Sequence, residues 1–447
     1  MEADVIVIGA GSGGYAAALS LSKHGKKVIL IESEKAGGVC LNSGCIPSKA
    51  FLYMASQYYN KENEKIGITC SSKIDLVKFQ EWKYGIIQKT IDNILAGCKK
   101  AGVEYISGRA SLMPGKRGKL DTGIEFSAEN IILATGSVPR SIPGFTFDHS
   151  RILSNEDILA MTEVPLSICI IGGGAIGVEM ATFLAKLGSK VTVVEALAKI
   201  LPNTDDDVSR AVVRSLKELG ISIHVNSMAT CGETGPGGLQ VHINTCPEDS
   251  LAFDKILIAV GRKANIEGLG LKDAGIEIDE AGFIRVNEKM GTSQPGIFAI
   301  GDVIGGAQLA HKATQDGLMV ADTIMGIESD YSMLTPYVVY SDPEVASVGM
   351  TETEAKGIPG TIVKRYYFAA LGKALAMNDT RGFVKIVAAE NGQILGVHIV
   401  GHESSNLIGE ALLAIEKKMT VKDLAKLMHP HPTLCEALGE CARAFKD

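Results

Sequence analysis

The sequence has 447 residues, of which 46% are hydrophobic and 21% charged, so it is long enough for about three domains with sizeable cores and excludes a disordered chain. The formal net charge of −7 argues against nucleic acid as the main partner, because nucleic-acid-binding proteins normally carry a basic face. No long apolar run and no signal peptide are present, so we expect no membrane insertion and a cytoplasmic location, or the mitochondrial matrix if a transit peptide was removed.

The first predicted elements form a nucleotide-binding unit. Its parts are the buried strand Val5–Ile8, the glycines Gly9, Gly11 and Gly14, a helix over 15–24, a strand over 27–31 and the acid Glu32. In this pattern the first glycine allows a tight turn, the second lets the backbone approach a pyrophosphate, and the third lets helix and strand pack closely. The helix N-terminus supplies N–H donors, and the acid can bind ribose hydroxyls. The unit therefore predicts a dinucleotide site.

Two cysteines, Cys40 and Cys45, follow this unit directly. Thiols five positions apart can form an internal disulfide without closing a long loop, and Gly44 and Pro47 bend the chain around them. A bridge that closes a short loop adds little stability, so beside a redox cofactor it favours a relay of electrons over a structural role. The alternative is two ordinary buried cysteines, since cysteine is often buried. Nine scattered cysteines do not form a secreted disulfide framework, and no Cys/His spacing predicts a metal site.

The same glycine pattern recurs farther along the chain. Its parts are the strand 168–171, the glycines Gly172, Gly174 and Gly177, the strand 190–194 and the acid Glu195. Each of these parts lies 163 residues after the matching part of the first pattern. One such pattern is a weak signal, but two in register predict two dinucleotide sites. A carboxylate at Glu195, with no arginine in the next few residues, favours NAD over NADP, because it would repel a 2′-phosphate.

With these features in place, the chain resembles the FAD-dependent pyridine nucleotide–disulfide oxidoreductase family, and within it the branch that oxidises dihydrolipoamide. The resemblance extends nearly from end to end. Beyond the cysteine pair, it rests on the runs Ile132–Ser137, Ala259–Arg262, Ile300–Asp302, Leu309–Ala313, Tyr340–Glu344 and His429–Glu436. It implies an α/β fold with two Rossmann-like domains and a C-terminal α/β dimerisation domain. The implied divisions are an FAD domain over 1–145, an NAD domain over 146–265, a central segment over 266–332 and an interface domain over 333–447.

By resemblance, Cys40 is the thiol that exchanges with the substrate and Cys45 is the thiol beside the flavin. Thiol exchange needs a thiolate, so a base must be supplied. His431 is the predicted base, and Glu436 is predicted to orient it. The resemblance implies that His431 serves the disulfide of the other subunit of a homodimer. His429 is the rival histidine, but the spacing to Glu436 favours His431. Cys435 and Cys441 are predicted to be structural.

The resemblance also implies cofactor contacts. In addition to the first glycine pattern and Glu32, the residues predicted to contact FAD are Lys49, Ala110, Thr135, Gly136, Ser137, Asp302, Leu309, Ala310 and His311. In addition to the second pattern and Glu195, those predicted to contact NAD are Glu179, Ala229 and Gly261. Lys49 and Glu179 are expected to pair near the reactive edge of the flavin. The implied cofactors are thus FAD and NAD.

The implied activity is oxidation of dihydrolipoamide to lipoamide with reduction of NAD+, as part of a 2-oxo acid dehydrogenase complex or the glycine cleavage system. Because the first strand begins at Val5, the lipoyl carrier is expected to be a separate protein. The main alternative is an NAD(P)H-dependent disulfide reductase of the glutathione reductase type. A mercuric reductase needs a vicinal cysteine pair near the C-terminus, which the run Cys441–Asp447 lacks. A non-catalytic flavoprotein would not need Cys40, Cys45, His431 and Glu436.

Overall fold

The structure is a computed structural model, and it describes residues 1–59, 66–69, 71–235, 238–245 and 251–445. The chain divides into two compact units. The first comprises residues 1–50, 75–140 and 261–331, and the second comprises 51–74, 141–260 and 332–447. The finer four-part division expected from the sequence stays a prediction.

The first unit is built on a mostly parallel sheet in the order β3-β2-β1-β6-β5-β4. A seventh strand, β17, pairs in parallel with the last residues of β6. Its strands are β1 (Glu2–Ile8), β2 (Val28–Glu32), β3 (Glu104–Ser107), β4 (Ala110–Met113), β5 (Arg117–Leu120), β6 (Glu125–Leu133) and β17 (Ile297–Ala299). A small antiparallel pair joins β7 (Ser137–Pro139) to β16 (Arg262–Ala264). The central strand β1 has no exposed side chain from Val5 to Ile8, which explains its unbroken apolar run.

Helices cover this sheet. They are α1 (Ser12–Lys23), α2 (Gly38–Ser43), α4 (Leu76–Ala101) and α8 (Ala310–Met325), whose apolar side chains share a buried cluster with β1 and β2. Helix α3 (Cys45–Tyr58) follows α2, and its later part belongs to the second unit. A 3-10 turn covers Gly301–Ile304. Helix α1 begins three residues earlier than the sequence predicted, because Gly11 ends the turn and the small residues after it already adopt helical geometry.

The second unit contains a parallel sheet in the order β11-β10-β9-β15-β8 and an antiparallel sheet β12-β13-β14. Their strands are β8 (Ile152–Leu153), β9 (Ser167–Ile171), β10 (Lys190–Val194), β11 (Ser222–His224), β12 (Ala229–Gly235), β13 (Gly238–Ile243), β14 (Leu251–Phe253) and β15 (Lys255–Ile258). The accompanying helices are α5 (Asn155–Leu159), α6 (Ala175–Lys186) and α7 (Asp206–Glu218). Strand β9, turn and α6 repeat the arrangement of β1, turn and α1, as the sequence predicted.

The C-terminal part of the second unit is an antiparallel sheet in the order β18-β19-β22-β21-β20. Its strands are β18 (Tyr337–Val339), β19 (Glu344–Gly349), β20 (Ile362–Tyr367), β21 (Phe383–Ala388) and β22 (Ile394–Gly401). Its helices are α9 (Glu352–Ala355), α10 (Gly372–Ala376), α11 (Ser404–Glu416), α12 (Val421–Ala425) and α13 (Glu436–Arg443), and a 3-10 turn covers Phe368–Ala370. Apolar side chains of this sheet, α11 and α13 form one buried cluster.

A buried charge cluster joins α7 to this sheet. The side chain of Lys385 is fully buried, and its Nζ lies 2.7 Å from Asp205 Oδ2 and 2.6 Å from Asp207 Oδ1. The Nε of Arg365 also donates to Asp207, at 2.7 Å. Burial alone would raise the pKa of Asp207, but Lys385 and Arg365 outweigh it and hold that pKa below its ordinary value. The carboxylates around Lys385 therefore already hold a cation.

Candidate redox-active site

The two predicted redox cysteines lie at a sharp turn between helices. Cys40 is in α2, and Cys45 is the first residue of α3. Gly44 makes the turn tight, because a Cβ there would lie 2.8 Å from the Val39 carbonyl oxygen. Both cysteines are free thiols in the structure, and their side chains are hydrogen-bonded to each other. The turn thus brings the two side chains together, as a pair that forms and opens a disulfide requires.

The environment of Cys40 controls its protonation. The hydrogen bond with Cys45 raises the pKa of the Cys40 thiol, and so do burial and a negative charge on Cys45. The ammonium group of Lys49 acts in the opposite direction and lowers this pKa. Burial, and a negative charge on Cys40 whenever its thiolate forms, raise the pKa of Tyr15. Since Cys40 holds its proton, forming its thiolate calls for an external base or for release of charge from Cys45.

Gly44→Ala is expected to lower the equilibrium constant for forming the Cys40–Cys45 disulfide by at least about tenfold. The added Cβ pushes α2, which carries Cys40, away from the start of α3, which carries Cys45. The measurement is thiol counting on the folded protein in dithiol–disulfide buffers. Gly97→Ala is the matched control, since a Cβ at Gly97 in helix α4 meets no heavy atom within 4 Å. An unchanged constant in Gly44→Ala would show that the close turn does not set the geometry of the pair.

The first glycine pattern forms the connection from β1 to α1. Gly9 has a φ of +107°, and a Cβ there would lie 2.2 Å from the Ala134 carbonyl oxygen, so only glycine fits. Gly14 packs on the turn, with its Cβ position 1.9 Å from the Gly9 oxygen. Gly11 differs, because the nearest atom to its Cβ position is 4.0 Å away. The pattern therefore leaves open space at its second glycine, the place where a pyrophosphate needs to approach.

The second glycine pattern, between β9 and α6, has the same geometry. Gly172 has a φ of +111°, and a Cβ on Gly177 would lie 1.9 Å from the Gly172 oxygen. At Gly174, the residue just before α6, a Cβ would meet no heavy atom within 4 Å. The two close-packed glycines shape the turn, and the open one provides room at the positive end of the helix.

Gly174→Ala is expected to weaken NAD+ binding by about tenfold or more while leaving the free energy of unfolding within about 1 kcal/mol of wild type. The new methyl group fills the space for a pyrophosphate but touches no protein atom. Gly177→Ala is the contrasting variant, and its overlap with Gly172 is expected to destabilise the fold by about 3 kcal/mol. Calorimetric NAD+ titration and urea unfolding separate the two effects. Wild-type affinity in Gly174→Ala would exclude this space as the pyrophosphate site.

Glu32 and Glu195, the acids that follow the two glycine patterns, accept hydrogen bonds from backbone N–H groups, a role that the sequence did not reveal. Glu32 accepts hydrogen bonds from the Ala10 and Glu34 amides at 2.7 and 2.9 Å. Glu195 accepts them from the Gly173 and Leu197 amides, both at 2.7 Å. Each carboxylate thus braces its own glycine turn. A carboxylate oxygen has two lone pairs, so both acids keep capacity for a ribose hydroxyl.

Two of the residues predicted to contact FAD, Ser137 and Asp302, form one hydrogen-bonded group with Arg262 in the first unit. Ser137 donates to Asp302 Oδ2 at 2.5 Å, and Arg262 Nε donates to Ser137 Oγ at 2.7 Å. The Oγ1 of Thr135 is buried and has no hydrogen-bond partner among the residues that the structure describes. Such an atom is costly unless a ligand satisfies it, so Thr135 and the space at Gly11 both fit a bound FAD. Arg262 received no role from the sequence, although it ends one of the motifs that carry the resemblance.

The remaining predicted FAD residues lie on separate elements of the first unit. Ala110 begins β4, Gly136 precedes β7, Leu309 precedes α8, and Ala310 and His311 open that helix. The first turn of α8 is held by Lys312, whose Nζ lies 2.7 Å from the buried Asp316. Asp316 also accepts the Gly301 amide at 3.1 Å, which fixes the turn that carries Asp302. Their contacts with FAD stay predictions.

Glu179 lies on α6 in the second unit and is buried. Its Oε1 accepts the Tyr340 amide at 3.0 Å. Burial and then the charge of Glu179 raise the pKa of Tyr337 to about 12. Lys49, its predicted partner, belongs to the first unit, so the expected pair stays a prediction. The same holds for the predicted NAD contacts of Ala229, at the start of β12, and of Gly261, just before β16.

His431 and Glu436 form a hydrogen-bonded pair, His431 Nδ1 to Glu436 Oε1 at 2.9 Å. The other oxygen of Glu436 accepts the Thr433 amide at 2.8 Å. These two donors, the Thr433 amide first, hold the pKa of Glu436 below its ordinary value. The imidazole of His431 is 77% exposed, so its other nitrogen is open to a reactant. The arrangement suits a base with an orienting carboxylate.

The rival His429 occupies a different environment. Its side chain is 7% exposed, and its Nε2 lies 2.9 Å from Glu410 Oε1. Of the two histidines, only His431 presents its ring to a reactant from outside the chain. Cys441 is fully buried, and burial raises its pKa to about 12, which fits a structural role. Cys435 is half-buried, and its sulfur lies 3.0 Å from the Thr433 hydroxyl.

The chain matches two family models. Residues 3–317 match the pyridine nucleotide-disulphide oxidoreductase model, and residues 335–442 match that family's dimerisation domain. The similar curated proteins include dihydrolipoyl dehydrogenases from Thermus scotoductus, 39% identical over 99% of this chain and 97% of the relative, and from Geobacillus stearothermophilus, 40% identical over 99% and 96%. In the described part of the chain, no helix combines the length and apolarity needed to cross a membrane.

Solved structures give the same picture. LpdA from Mycobacterium tuberculosis superposes with a TM-score of 0.91 at 26% identity, covering 98% of this chain and 99% of that one. A flavoprotein disulfide reductase from Escherichia coli, induced by hypochlorous acid, superposes with a TM-score of 0.89 at 28% identity, covering 99% and 100%. Both matches extend over nearly the whole length of this chain.

Proposed function

The chain belongs to the pyridine nucleotide–disulphide oxidoreductase family, and on this premise we propose that it oxidises dihydrolipoamide and reduces NAD+. The balanced reaction is dihydrolipoamide plus NAD+ to lipoamide, NADH and a proton. The observation that carries the proposal is the Cys40–Cys45 thiol pair, which lies at a turn just after the first glycine pattern and its acid Glu32. The family membership confirms the predicted fold and the cofactors FAD and NAD.

When bound, FAD supplies a two-electron carrier between the thiol pair and NAD+. The residues that would hold it are Gly11, through open backbone space, Thr135, through its unpartnered hydroxyl, and the Ser137–Asp302 pair. Gly174 and Glu195 would hold NAD+ in the same manner. The carboxylate at Glu195 favours free ribose hydroxyls over a 2′-phosphate, so NAD+ is the proposed nicotinamide.

The thiol chemistry follows from the positions of the cysteines and the histidine. His431 takes a proton from one substrate thiol, and the thiolate attacks Cys40 Sγ of the oxidised pair. The Cys40–Cys45 bond breaks, a mixed disulfide forms at Cys40, and Cys45 leaves as a thiolate. The second substrate thiol then attacks the substrate sulfur of the mixed disulfide, which releases Cys40 and closes the lipoyl ring. Two electrons have passed to the pair, and Cys40 takes the proton that its raised pKa favours.

A homodimer completes the proposed site. Residues 335–442 match the family's dimerisation domain and carry both His431 and Glu436. The ring of His431 has its orienting carboxylate within its own chain and is 77% exposed. We propose that it serves the cysteine pair of the partner subunit, so that each site needs both chains.

The proposed substrate is the dihydrolipoyl group of a separate carrier protein within a 2-oxo acid dehydrogenase complex or the glycine cleavage system. A thiol pair at a turn suits a dithiol on a flexible arm, because the attacking sulfur must reach Cys40 while the second sulfur stays close. The names of the curated relatives support this substrate, since they are dihydrolipoyl dehydrogenases of nearly equal length.

A substrate comparison tests the proposal. Purified protein loaded with FAD is given dihydrolipoamide with NAD+ or NADP+, and in parallel NADPH with glutathione disulfide. We expect NADH formation equal to the dihydrolipoamide consumed, with NADP+ used at least about a hundredfold less efficiently. Faster reduction of glutathione disulfide by NADPH would replace the proposal with a disulfide reductase.

A further inference from the structure

One face of helix α6 is attached to its surroundings at three successive positions. Glu179, Phe183 and Lys186 are spaced by four and three residues, so they share a side of the helix. Glu179 accepts the Tyr340 amide, and the ring of Phe183 stacks on that of Phe51 with centroids 5.0 Å apart. Lys186 forms an ion pair with Asp342. Two of these three attachments therefore come from one short segment, residues 340–342.

The ion pair at the end of α6 is largely shielded from solvent. Lys186 is 8% exposed, and its Nζ also lies 5.9 Å from the centre of the Tyr59 ring. Asp342 binds Lys186 through Oδ2 and Arg381 through Oδ1, the latter at 2.6 Å. Burial acts to raise the pKa of Asp342, but Lys186 and Arg381 outweigh it and keep this carboxyl ionised. Asp342 is thus the carboxylate that compensates a buried ammonium.

We propose that Asp342 is a positioning residue for the nicotinamide half of the reaction: through Lys186 it holds segment 340–342 against α6, so that the Tyr340 amide keeps Glu179 oriented. The inference rests on the proposed function, because it assumes that Glu179 faces the reacting nicotinamide. Asp342 itself touches neither substrate nor cofactor in this proposal.

Removing the negative charge of Asp342 shows what the ion pair does. In Asp342→Asn, Lys186 loses its carboxylate in a site where an uncompensated ammonium is costly, and its Nζ must turn toward water. Arg381 keeps a partner, since it also binds Asp379 at 2.8 Å. The segment that loses its anchor carries Tyr340 two residues away, and the amide of Tyr340 is then free to leave Glu179. We therefore expect Glu179 to lose its fixed orientation, and hydride transfer depends on well-oriented groups.

The chain offers a matched control. Asp207 is also held between a lysine and an arginine, with Lys385 Nζ at 2.6 Å and Arg365 Nε at 2.7 Å. Its side chain is 18% exposed, against 25% for Asp342. Asp207 lies in the first turn of α7 and has no contact with α6 among its hydrogen bonds or ion pairs in the described residues. Asp207→Asn therefore reproduces the loss of charge without loosening segment 340–342.

The experiment compares the two variants as FAD-loaded dimers. Rapid-mixing absorbance follows reduction of the protein by dihydrolipoamide and, separately, its reoxidation by NAD+. For Asp342→Asn we expect reoxidation to slow by about tenfold, with reduction by the dithiol within about twofold of wild type. Amide hydrogen exchange gives a readout apart from activity, and exchange at Tyr340 is expected to accelerate by about tenfold in this variant. Asp207→Asn is expected to leave both readouts at wild-type values.

Equal slowing in both variants, slowing of both half-reactions in Asp342→Asn, or unchanged exchange at Tyr340 would overturn the inference. If Asp342→Asn fails to fold, Lys186→Met serves in its place, because it removes the buried charge and leaves no ammonium uncompensated. Lys186→Met is expected to show the same selective slowing, and a wild-type rate of reoxidation would overturn the inference. A wild-type protein that never forms NADH from dihydrolipoamide would instead refute the proposed function.

Discussion

Cys40→Ser will lower kcat/KM for dihydrolipoamide by more than about a thousandfold, because a serine oxygen can form neither the mixed disulfide nor the bond to Cys45. The variant should still pass electrons from NADH to an artificial acceptor at about the wild-type rate, since that path uses FAD and the second glycine pattern only. Steady-state assays with the two electron acceptors check both statements.

Cys435→Ser is the matched control for this substitution. Cys435 is half-buried like Cys40, and a serine keeps a polar atom beside the Thr433 hydroxyl. Its kcat/KM should stay within about twofold of wild type. Retention of more than about a tenth of the activity in Cys40→Ser would contradict the exchange role of Cys40.

His431→Gln will lower the rate of reduction by dihydrolipoamide by about a hundredfold to a thousandfold, because general base catalysis contributes about this much. Glutamine fills a similar volume but cannot take the proton. Glu436→Gln should have a smaller effect, about tenfold, because the amide oxygen can still accept one of the two hydrogen bonds. Single-turnover absorbance measurements give these rates directly.

His402→Gln controls for the loss of an imidazole in the same part of the chain. His402 is 43% exposed, and its Nε2 lies 3.8 Å from Glu403 Oε1, which is too far for a hydrogen bond. It should retain wild-type rates. A His431→Gln variant that reduces as fast as wild type would show that another group takes the substrate proton.

Mixed dimers test whether His431 acts across the subunit interface. A heterodimer of Cys40→Ser and His431→Gln chains has one intact site if each site combines the cysteines of one chain with the histidine of the other. It should then show about half the wild-type activity per dimer, whereas both homodimers are nearly inactive. If the site lies within one chain, the heterodimer has no intact site and stays inactive.

The local parts of the fold could be predicted from the sequence. The apolar run at Val5–Ile8, the glycine spacing after it and the acid at Glu32 predict a strand, a turn and a helix without reference to distant residues. The repeat of this pattern at Gly172 predicted β9, the turn after it and α6 for the same reason. The thiol turn was also predictable, because Cys40, Gly44 and Cys45 are close in sequence.

The bracing contacts could not be predicted, because they depend on the three-dimensional arrangement of residues far apart in the chain. Ser137 and Asp302 are separated by 165 positions, and Glu179 and Tyr340 by 161. Asp342 lies in one of the runs that carry the resemblance, but that run does not reveal its ion pair with the buried Lys186. Likewise, the sequence predicts only a ribose contact for Glu195. It does not predict that the carboxylate of Glu195 accepts hydrogen bonds from the Gly173 and Leu197 amides.

The most direct test of the account is an anaerobic absorbance titration of the FAD-loaded protein with dihydrolipoamide, followed by addition of NAD+. We expect a long-wavelength band when the dithiol opens the Cys40–Cys45 disulfide and leaves a Cys45 thiolate against the flavin. The band should disappear after NAD+ is added, with one NADH formed per site. A flavin spectrum that the dithiol leaves unchanged, but that NADPH bleaches, would contradict the account.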